Sequence, residues 1–322
     1  MKSRFRIFMV ELLLGHLPAP WRDYIFDFKR LRGKRKMFPT KQMLIFRIET
    51  VGTHGGFADR MKGIVSLFHL CLYKGIPFKI HYTAPFELSD FLLPNEYDWR
   101  ISEEEISYNR KEAKSIHGAQ LLPRVIRENS QKQMHVLQIN GDFVEDLNKE
   151  LQTNYRWGEL YKKLFKPTEE LQSEIDKHVE IITGNYVCAV FRFQNLLGDF
   201  REYEFPALSE AEQKTLMQTC RNALVELQEK EGKKMLVTSD SEKFLTSVVG
   251  LNAMYAFPAK VVHLDTTEHE AHSVYLKSFV DFYVLSQGEK IYCIGTKEMY
   301  PSQFPMYAAK VNNIPFERIL IE

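Results

Sequence analysis

Three short segments hold the residues whose types and spacing could do chemistry. The first is Gly52-Thr53-His54-Gly55-Gly56-Phe57-Ala58-Asp59-Arg60. Glycines there let the backbone approach an anion, and a helix starting after them would add N–H groups and the positive end of its dipole. The second is Phe191-Arg192-Phe193-Gln194-Asn195-Leu196-Leu197-Gly198-Asp199-Phe200. An arginine emerging from an apolar run between aromatics is costly unless it meets an anion or a carboxylate, and its planar fork fits a diphosphate bidentately. An internal Arg192–Asp199 pair that only stitches the loop is the competing explanation. The third, Thr238-Ser239-Asp240-Ser241, is an ordinary N-cap pattern that gains weight as a nucleotide contact beside Arg192. For proton transfer the candidates are Asp199, Asp59 and His54. His263, His269 and His272 lie among Asp265, Glu268 and Glu270 but fit no zinc-ligand spacing, so no metal is expected.

These segments need a scaffold that ends buried strands beside helix starts. Met43-Leu44-Ile45-Phe46-Arg47-Ile48 reads as a buried strand, 57–73 as a helix with Met61, Ile64, Val65, Phe68 and Leu72 on one face, and 78–82 as a second strand. Residues 84–133 read as loops and short helices, and 134–139 return to the sheet. Thr168 caps a helix running to Gly184-Asn185, and 186–193 form a buried strand. Ser209-x-x-Glu212 is a capping box for a helix stopped by Gly232. Strands over 234–237, 261–264 and 290–294 and a helix over 273–286 complete the pattern. Strand–helix alternation of this kind predicts parallel sheets covered on both faces. The expected division is a basic segment 1–40, an N-terminal Rossmann-like domain 41–160, and a C-terminal Rossmann-like domain 161–322. A ligand cleft between two α/β domains is the natural expectation.

The 322 residues are 44% apolar and 13% aromatic, enough for real cores and too apolar for disorder. A net charge of +1 argues against a dedicated nucleic-acid binder. That average is uneven: residues 1–40 hold ten Lys/Arg against three Asp/Glu, a surplus of seven that leaves −6 for the remainder. The cations of 1–36 read as a peripheral contact with an anionic membrane or as a solvated arm. Cys71, Cys188, Cys220 and Cys293 are scattered without a C-x-x-C pair, which fits buried thiols in a reduced, cytoplasmic setting. No apolar stretch reaches the ~20 residues of a spanning helix.

In combination these segments resemble the GDP-fucose-dependent fucosyltransferase superfamily, which includes the α-1,2-, α-1,6- and protein O-fucosyltransferases. Gly55-Gly56-Phe57-Ala58-Asp59-Arg60 resembles its Gly-Gly-x-x-Asn/Asp-Arg loop. Arg192 with Gly198-Asp199 is similar to its His-x-Arg-x-Gly-Asp motif, with Phe191 in place of the His and a longer spacer before Gly198. Ser239-Asp240 resembles its Ser/Thr-Asp element, and Ser302-Gln303-Phe304 its Ser-x-Phe segment near phosphate oxygens, a region that also takes in Asp281. The resemblance covers roughly residues 43–312. It implies a GT-B fold, two facing α/β domains with an inter-domain cleft, and a nucleotide sugar held by the C-terminal one. It also implies an inverting glycosyltransferase, with Arg192 on the diphosphate aided by N–H groups near Ser302 and with no metal cofactor. The acceptor would be a glycan or glycolipid. The chain would be cytoplasmic, on the inner face of the plasma membrane if 1–36 bind lipid. The alternatives are a catalytically silent carbohydrate- or nucleotide-binding protein on the same scaffold and an oxidoreductase. The absence of G-x-G-x-x-G weakens the last.

Overall fold

The computed structural model describes residues 31–34, 41–51, 54–116, 131–137, 139–200, 206–265 and 270–322. Most of the basic head, and His269, therefore lie outside the described residues. In chain order the elements begin with strand β1 (Met43–Ile48), helix α1 (Phe57–Lys74), β2 (Phe78–Tyr82), β3 (Leu92–Pro94), β4 (Ala113–Ile116) and β5 (Gln133–Val136). Then come α2 (Val144–Leu151), α3 (Trp157–Leu164), β6 (Phe165–Pro167), α4 (Glu169–Ile182), β7 (Tyr186–Phe191), α5 (Glu210–Glu231) and β8 (Lys234–Ser239). The chain ends with α6 (Glu242–Val248), β9 (Met254–Ala256), α7 (His272–Ser286), β10 (Ile291–Gly295), α8 (Phe304–Asn312) and β11 (Phe316–Leu320).

The described residues form two Rossmann-like α/β units of the GT-B class. One draws on Met1–Glu49, Met61–Tyr82 and Asp98–Asn154, the other on Thr50–Arg60, Thr83–Tyr97 and Tyr155–Glu322. A single cut at residue 160 was expected, but the units interleave: the Gly-rich segment and the first turn of α1 group with the C-terminal sheet. Among the described residues no helix is long and apolar enough to cross a membrane. All four cysteines are buried free thiols.

In the second unit five parallel strands run in the order β11-β10-β7-β8-β9. Every residue of β7 is buried, as a central strand covered on both faces requires. From β7 the chain builds outward through β8 and β9, then returns to the other side of β7 for β10 and β11, so the order reverses between β7 and β10. Thr168 Oγ1 accepts from Leu171 N at 3.3 Å, and Ser209 and Glu212 cap α5 reciprocally until Gly232, at φ 62°, ends it. The expected strand at 261–264 does not form. Met254–Ala256 takes the edge beside β8, and 261–264 line a cavity described below. Strand β11, at the opposite edge, was not foreseen.

In the first unit four parallel strands run β2-β1-β5-β4. A polar lattice is sealed against this sheet. Arg47, on β1, is gripped by Glu49 through Nε, at 2.6 Å to Oε1, and through Nη2, and lies over the Tyr108 ring at 4.8 Å. Its Nη1 donates to His135 Nδ1 at 2.9 Å, so His135 is neutral with its proton on Nε2. Burial first, and then Arg47, push His135 down to about 3. Glu49 also faces His81 Nδ1 at 2.8 Å, and His81 Nε2 faces Glu103 at 3.2 Å. Burial pushes Glu49 up, but the bonds from His81 and Arg47 outweigh it and hold the carboxyl at about 2.

Both shifts give the same sign. Each folded value lies below its unfolded one, so the unfolded chain binds more protons on acidification. Stability is expected to fall as pH drops through 6.5 towards 3 for His135 and through 4.5 towards 2 for Glu49. The Glu49 share is about 2 kcal/mol after allowance for its partial exposure. Urea denaturation from pH 7 to pH 3 should show this slope, flattened below pH 4.5 in Glu49→Gln; parallel profiles for variant and wild type would remove Glu49 from the account.

Candidate functional site

A cavity of about 380 Å³ lies within the second unit. Its walls are the ends of β7 and β8 (190–192 and 238–240), residues 56–59 at the start of α1, segment 261–264, and 302–304 at the start of α8. This is the carboxyl edge of the parallel sheet beside the reversal of strand order, where open α/β sheets take their ligands. The site residues brought together here are Arg192, Asp59, Gly56, Ser239, Asp240, Ser302 and Phe304. Gly55, Arg60, His54 and Asp199 do not line it.

Arg192 does not pair with Asp199. Its Nη1 meets Asp240 Oδ2 at 3.1 Å, with the Arg192 side chain 17% exposed and Asp240 only 3%, and the guanidinium lies over the Phe200 ring at 4.3 Å. Asp240 also accepts from Phe193 N at 2.8 Å and Gln194 N at 2.7 Å. A carboxylate at the end of β8 thus staples the turn leaving β7, where Gln194 sits at φ 52°. Burial pushes the Asp240 carboxyl up, opposed by Arg192 and by the two backbone N–H donors. The expected nucleotide contact of Asp240 is therefore revised: its oxygens are committed to the protein, and it acts by holding Arg192. Ser239 Oγ accepts from Ser241 N at 3.1 Å on the same turn.

Asp199 is corrected from a proton-transfer role to a helix cap. Its Oδ2 accepts from Ser241 Oγ at 2.8 Å and Lys243 N at 2.9 Å, at the N-terminus of α6. Such a carboxylate relieves orphan N–H groups and faces the positive dipole end.

Arg60, outside the cavity lining, is completely buried. It donates to Gly55 O at 3.1 Å, Ala84 O at 2.9 Å, Leu264 O at 3.1 Å and Asp265 Oδ1 at 3.5 Å. The expected substrate contact gives way to a clamp joining three segments. His54 is likewise buried, and its backbone N donates to Asp265 Oδ1 at 3.0 Å. Gly55, at φ 71°, serves Asp59 rather than a ligand: a Cβ there would stand 2.4 Å from Asp59 Oδ2. Gly56 is the glycine that reaches the cavity. The first α-helical bond of α1 is Arg60 N to Gly56 O, 3.2 Å, so the N–H groups of Phe57 and Ala58 precede the intrahelical ladder.

The start of α8 is close by, with the Phe57 and Phe304 rings 5.7 Å apart. The donors expected near Ser302 are rearranged. Ser302 N donates to Tyr300 O at 2.8 Å, and Phe304 N to Ser302 Oγ at 3.2 Å. Ser302 Oγ accepts from Phe304 N and can still donate its hydroxyl proton. Asp281 also lines the cavity, but both its oxygens are held by Lys277 Nζ. Among the described residues no group of three or more His, Cys, Asp or Glu converges as metal ligands.

Sequence reasoning gave no site role to Gln194 or Tyr300 and weighed His263 only as a metal ligand, yet all three line the cavity. His263 follows Val261 and Val262 in an apolar stretch, and that context was the available signal of a partly enclosed imidazole.

By sequence the chain matches no family model and no curated protein. Its fold does match solved structures. NodZ α-1,6-fucosyltransferase soaked with GDP-fucose aligns at TM-score 0.52 and 14% identity over 84% of this chain and 93% of that one. Fucosyltransferase NodZ from Bradyrhizobium, in selenomethionine form, gives 0.52 and 15% over 84% and 92%. A mutant of Arabidopsis thaliana FUT1 in complex with GDP gives 0.55 and 12% over 98% and 78%. The fold is that of the fucosyltransferases. At these identities the likeness is one of architecture, and the site must be argued from its own residues.

Removing the staple tests that architecture. Asp240→Ala leaves two backbone N–H groups and Arg192 without their acceptor, so it should lower the free energy of unfolding by about 3–5 kcal/mol. Arg192→Ala leaves Asp240 with both backbone donors and should be milder. Equal, small effects in urea denaturation would contradict the staple.

Proposed function

We propose that this chain is an inverting glycosyltransferase that moves a sugar, with fucose the leading candidate, from a GDP-sugar to a glycan or glycolipid acceptor. One observation carries the reading. Arg192 is held at the carboxyl edge of the sheet, in a cavity shared with the starts of α1 and α8, within a fold otherwise seen in fucosyltransferases. Breaking the sugar–phosphate bond leaves negative charge on a diphosphate and positive charge on the sugar. A preorganised guanidinium and helix-start donors stabilise the first without reorganising during the reaction. Of the carboxylates weighed for the acceptor proton, Asp59 lines the cavity and Asp199 is spent on a cap. We therefore assign the base to Asp59. No metal is required on this reading, and transfer is expected to persist in EDTA.

The diversion of Asp199 and the presence of Phe191 favour one second reading, a protein that binds the nucleotide sugar without transferring it. A thermal-shift series followed by a transfer assay separates the two. GDP-fucose at 100 times its dissociation constant should add about 2.7 kcal/mol of stability; UDP- and dTDP-sugars should add far less. Arg192→Ala should lose both the shift and GDP release in the presence of glycan acceptors. Selective stabilisation by UDP-sugars would sink the donor assignment, and a GDP-fucose shift without any turnover would select the binding protein.

We also propose that the cations of 1–36 bring the chain to an anionic cytoplasmic membrane face, where lipid-linked acceptors would be met. The charge pattern supports this, each Lys or Arg near such a surface being worth about 1 kcal/mol. Leu31 is buried and Arg32 bridges to Asn109, so deletion through 36 would also disturb the fold. Charge neutralisation of Lys2, Arg4, Arg6, Lys29 and Arg30 avoids that. Co-sedimentation with phosphatidylserine vesicles should drop at least tenfold in this variant, and unchanged binding would refute the membrane contact.

A further inference from the structure

Strand alternation decides which side chains of the second sheet face helix α7. Ala189 and Phe191 of β7 and Met235 and Val237 of β8 pack into one apolar core with Leu224 of α5, so the residues between them point the other way. Cys188 does so, and its Sγ donates to Leu285 O of α7 at 3.7 Å. Val190 and Thr238 are side by side in the ladder and belong to that same α7-covered face. On α7, Ser278, Asp281 and Leu285 follow at i, i+3 and i+7, on one side of the helix. Val190, Thr238, Ser278 and Asp281 all line the cavity. Thr238 is 4% and Ser278 9% exposed, and among the described residues neither hydroxyl makes a hydrogen bond. A serine inside a helix commonly turns its hydroxyl back to the carbonyl four residues earlier; Ser278 does not. Buried hydroxyls without partners cost stability, and two lining one cavity mark a place that a ligand completes. The surroundings carry no net charge: Lys277 on the same helix compensates Asp281, and Val190, Val261 and Val262 supply apolar wall. The groups suited to an anion, Arg192 and the starts of α1 and α8, are on other elements.

We infer that the Thr238 and Ser278 hydroxyls read the hydrogen-bonding edge of the nucleobase of a bound nucleoside diphosphate and so set which base is accepted. This rests on the proposed nucleotide-sugar function and adds two specificity residues to it. A sugar would bring a hydroxyl on nearly every carbon and ask for more partners than two. A planar base has apolar faces for the valines and a few carbonyl and N–H groups at its edge, which a hydroxyl meets equally as donor or acceptor. A base with the wrong edge would leave the buried hydroxyls unpaired, and that penalty is the source of discrimination.

The test is calorimetric titration of wild type, Thr238→Val, Ser278→Ala and Thr238→Ser with GDP, ADP and UDP, alongside the melting temperature of each protein without ligand. Affinity for the preferred nucleotide should fall about three- to tenfold in Thr238→Val and in Ser278→Ala, narrowing the preference among bases. Thr238→Ser keeps a hydroxyl and should bind close to wild type. Neither hydroxyl has a partner within the described residues, so the unliganded melting temperatures should not fall. Lost nucleotide affinity with that melting temperature held, and its return in Thr238→Ser, upholds the assignment. Unchanged affinity, an equal loss for every base bound, or a lowered unliganded melting temperature overturns it. A wild-type preference for ADP or UDP removes only the guanine part of the proposed function, and the variants are then read on that nucleotide. GDP binding without transfer to any acceptor removes the transferase reading and leaves these contacts standing. Binding of none of the three by wild type overturns both.

Discussion

The site depends on one buried carboxylate. Asp240 is nearly sealed from solvent, and an ionised group in that position is tolerable only if its lone pairs are filled. Three donors from one short stretch fill them: Arg192 Nη1, Phe193 N and Gln194 N. The demand of the carboxylate therefore sets the path of the chain as it leaves β7. It accounts for the left-handed backbone at Gln194, because the turn must fold back to present consecutive N–H groups to one side chain. It also aims the guanidinium, which would otherwise lose considerable side-chain entropy on meeting a ligand. Phe200, stacked on the far face of Arg192, removes most of the remaining freedom.

Arg60, behind the cavity lining, solves the inverse problem. Arg60 is a buried cation whose donors go to carbonyls from three separate segments and to the partly exposed Asp265. Arginine suits this place because its planar fork can serve several acceptors in fixed directions, which an ammonium on a flexible stem cannot do. Asp240 and Arg60 are thus buried ions of opposite sign that each tie backbone together. Burial that would cost stability if uncompensated is converted into rigidity, and rigidity around an anion seat is what electrostatic preorganisation requires.

What could be read in the sequence follows the range of the interactions. The buried strand Tyr186–Phe191, the Ser209 capping box and the Gly232 stop are encoded within a few residues, and the structure has them where local pattern puts them. Arg192 stood out for the same reason: a cation interrupting an apolar run is visible locally. Its partner was not, since Asp240 is 48 positions away and the nearer Asp199 looked equally suitable. Arg60 showed the same limit. Next to two glycines it resembled an anion ligand, whereas its acceptors lie at Ala84 and Leu264, which no short-range pattern connects to it. The strand expected at 261–264 failed for a related reason. Apolar residues in an extended stretch are equally satisfied by a ladder or by a cavity wall, and periodicity cannot separate the two.

The residues of the segment that resembles the fucosyltransferase motif meet the N-terminus of α6. Phe191 occupies the place of the motif's histidine, and its ring packs 4.7 Å from Phe244, the residue whose backbone N donates to Ser241 Oγ at 3.1 Å. Ser241 Oγ in turn donates to Asp199. From there Asp199 caps α6, and it does not line the cavity. A carboxylate beside Arg192 is still required to offset the buried guanidinium, and Asp240 supplies it from the neighbouring strand. Phe191→His would place a polar ring against Phe244 and would leave the Asp199 cap on α6 in place.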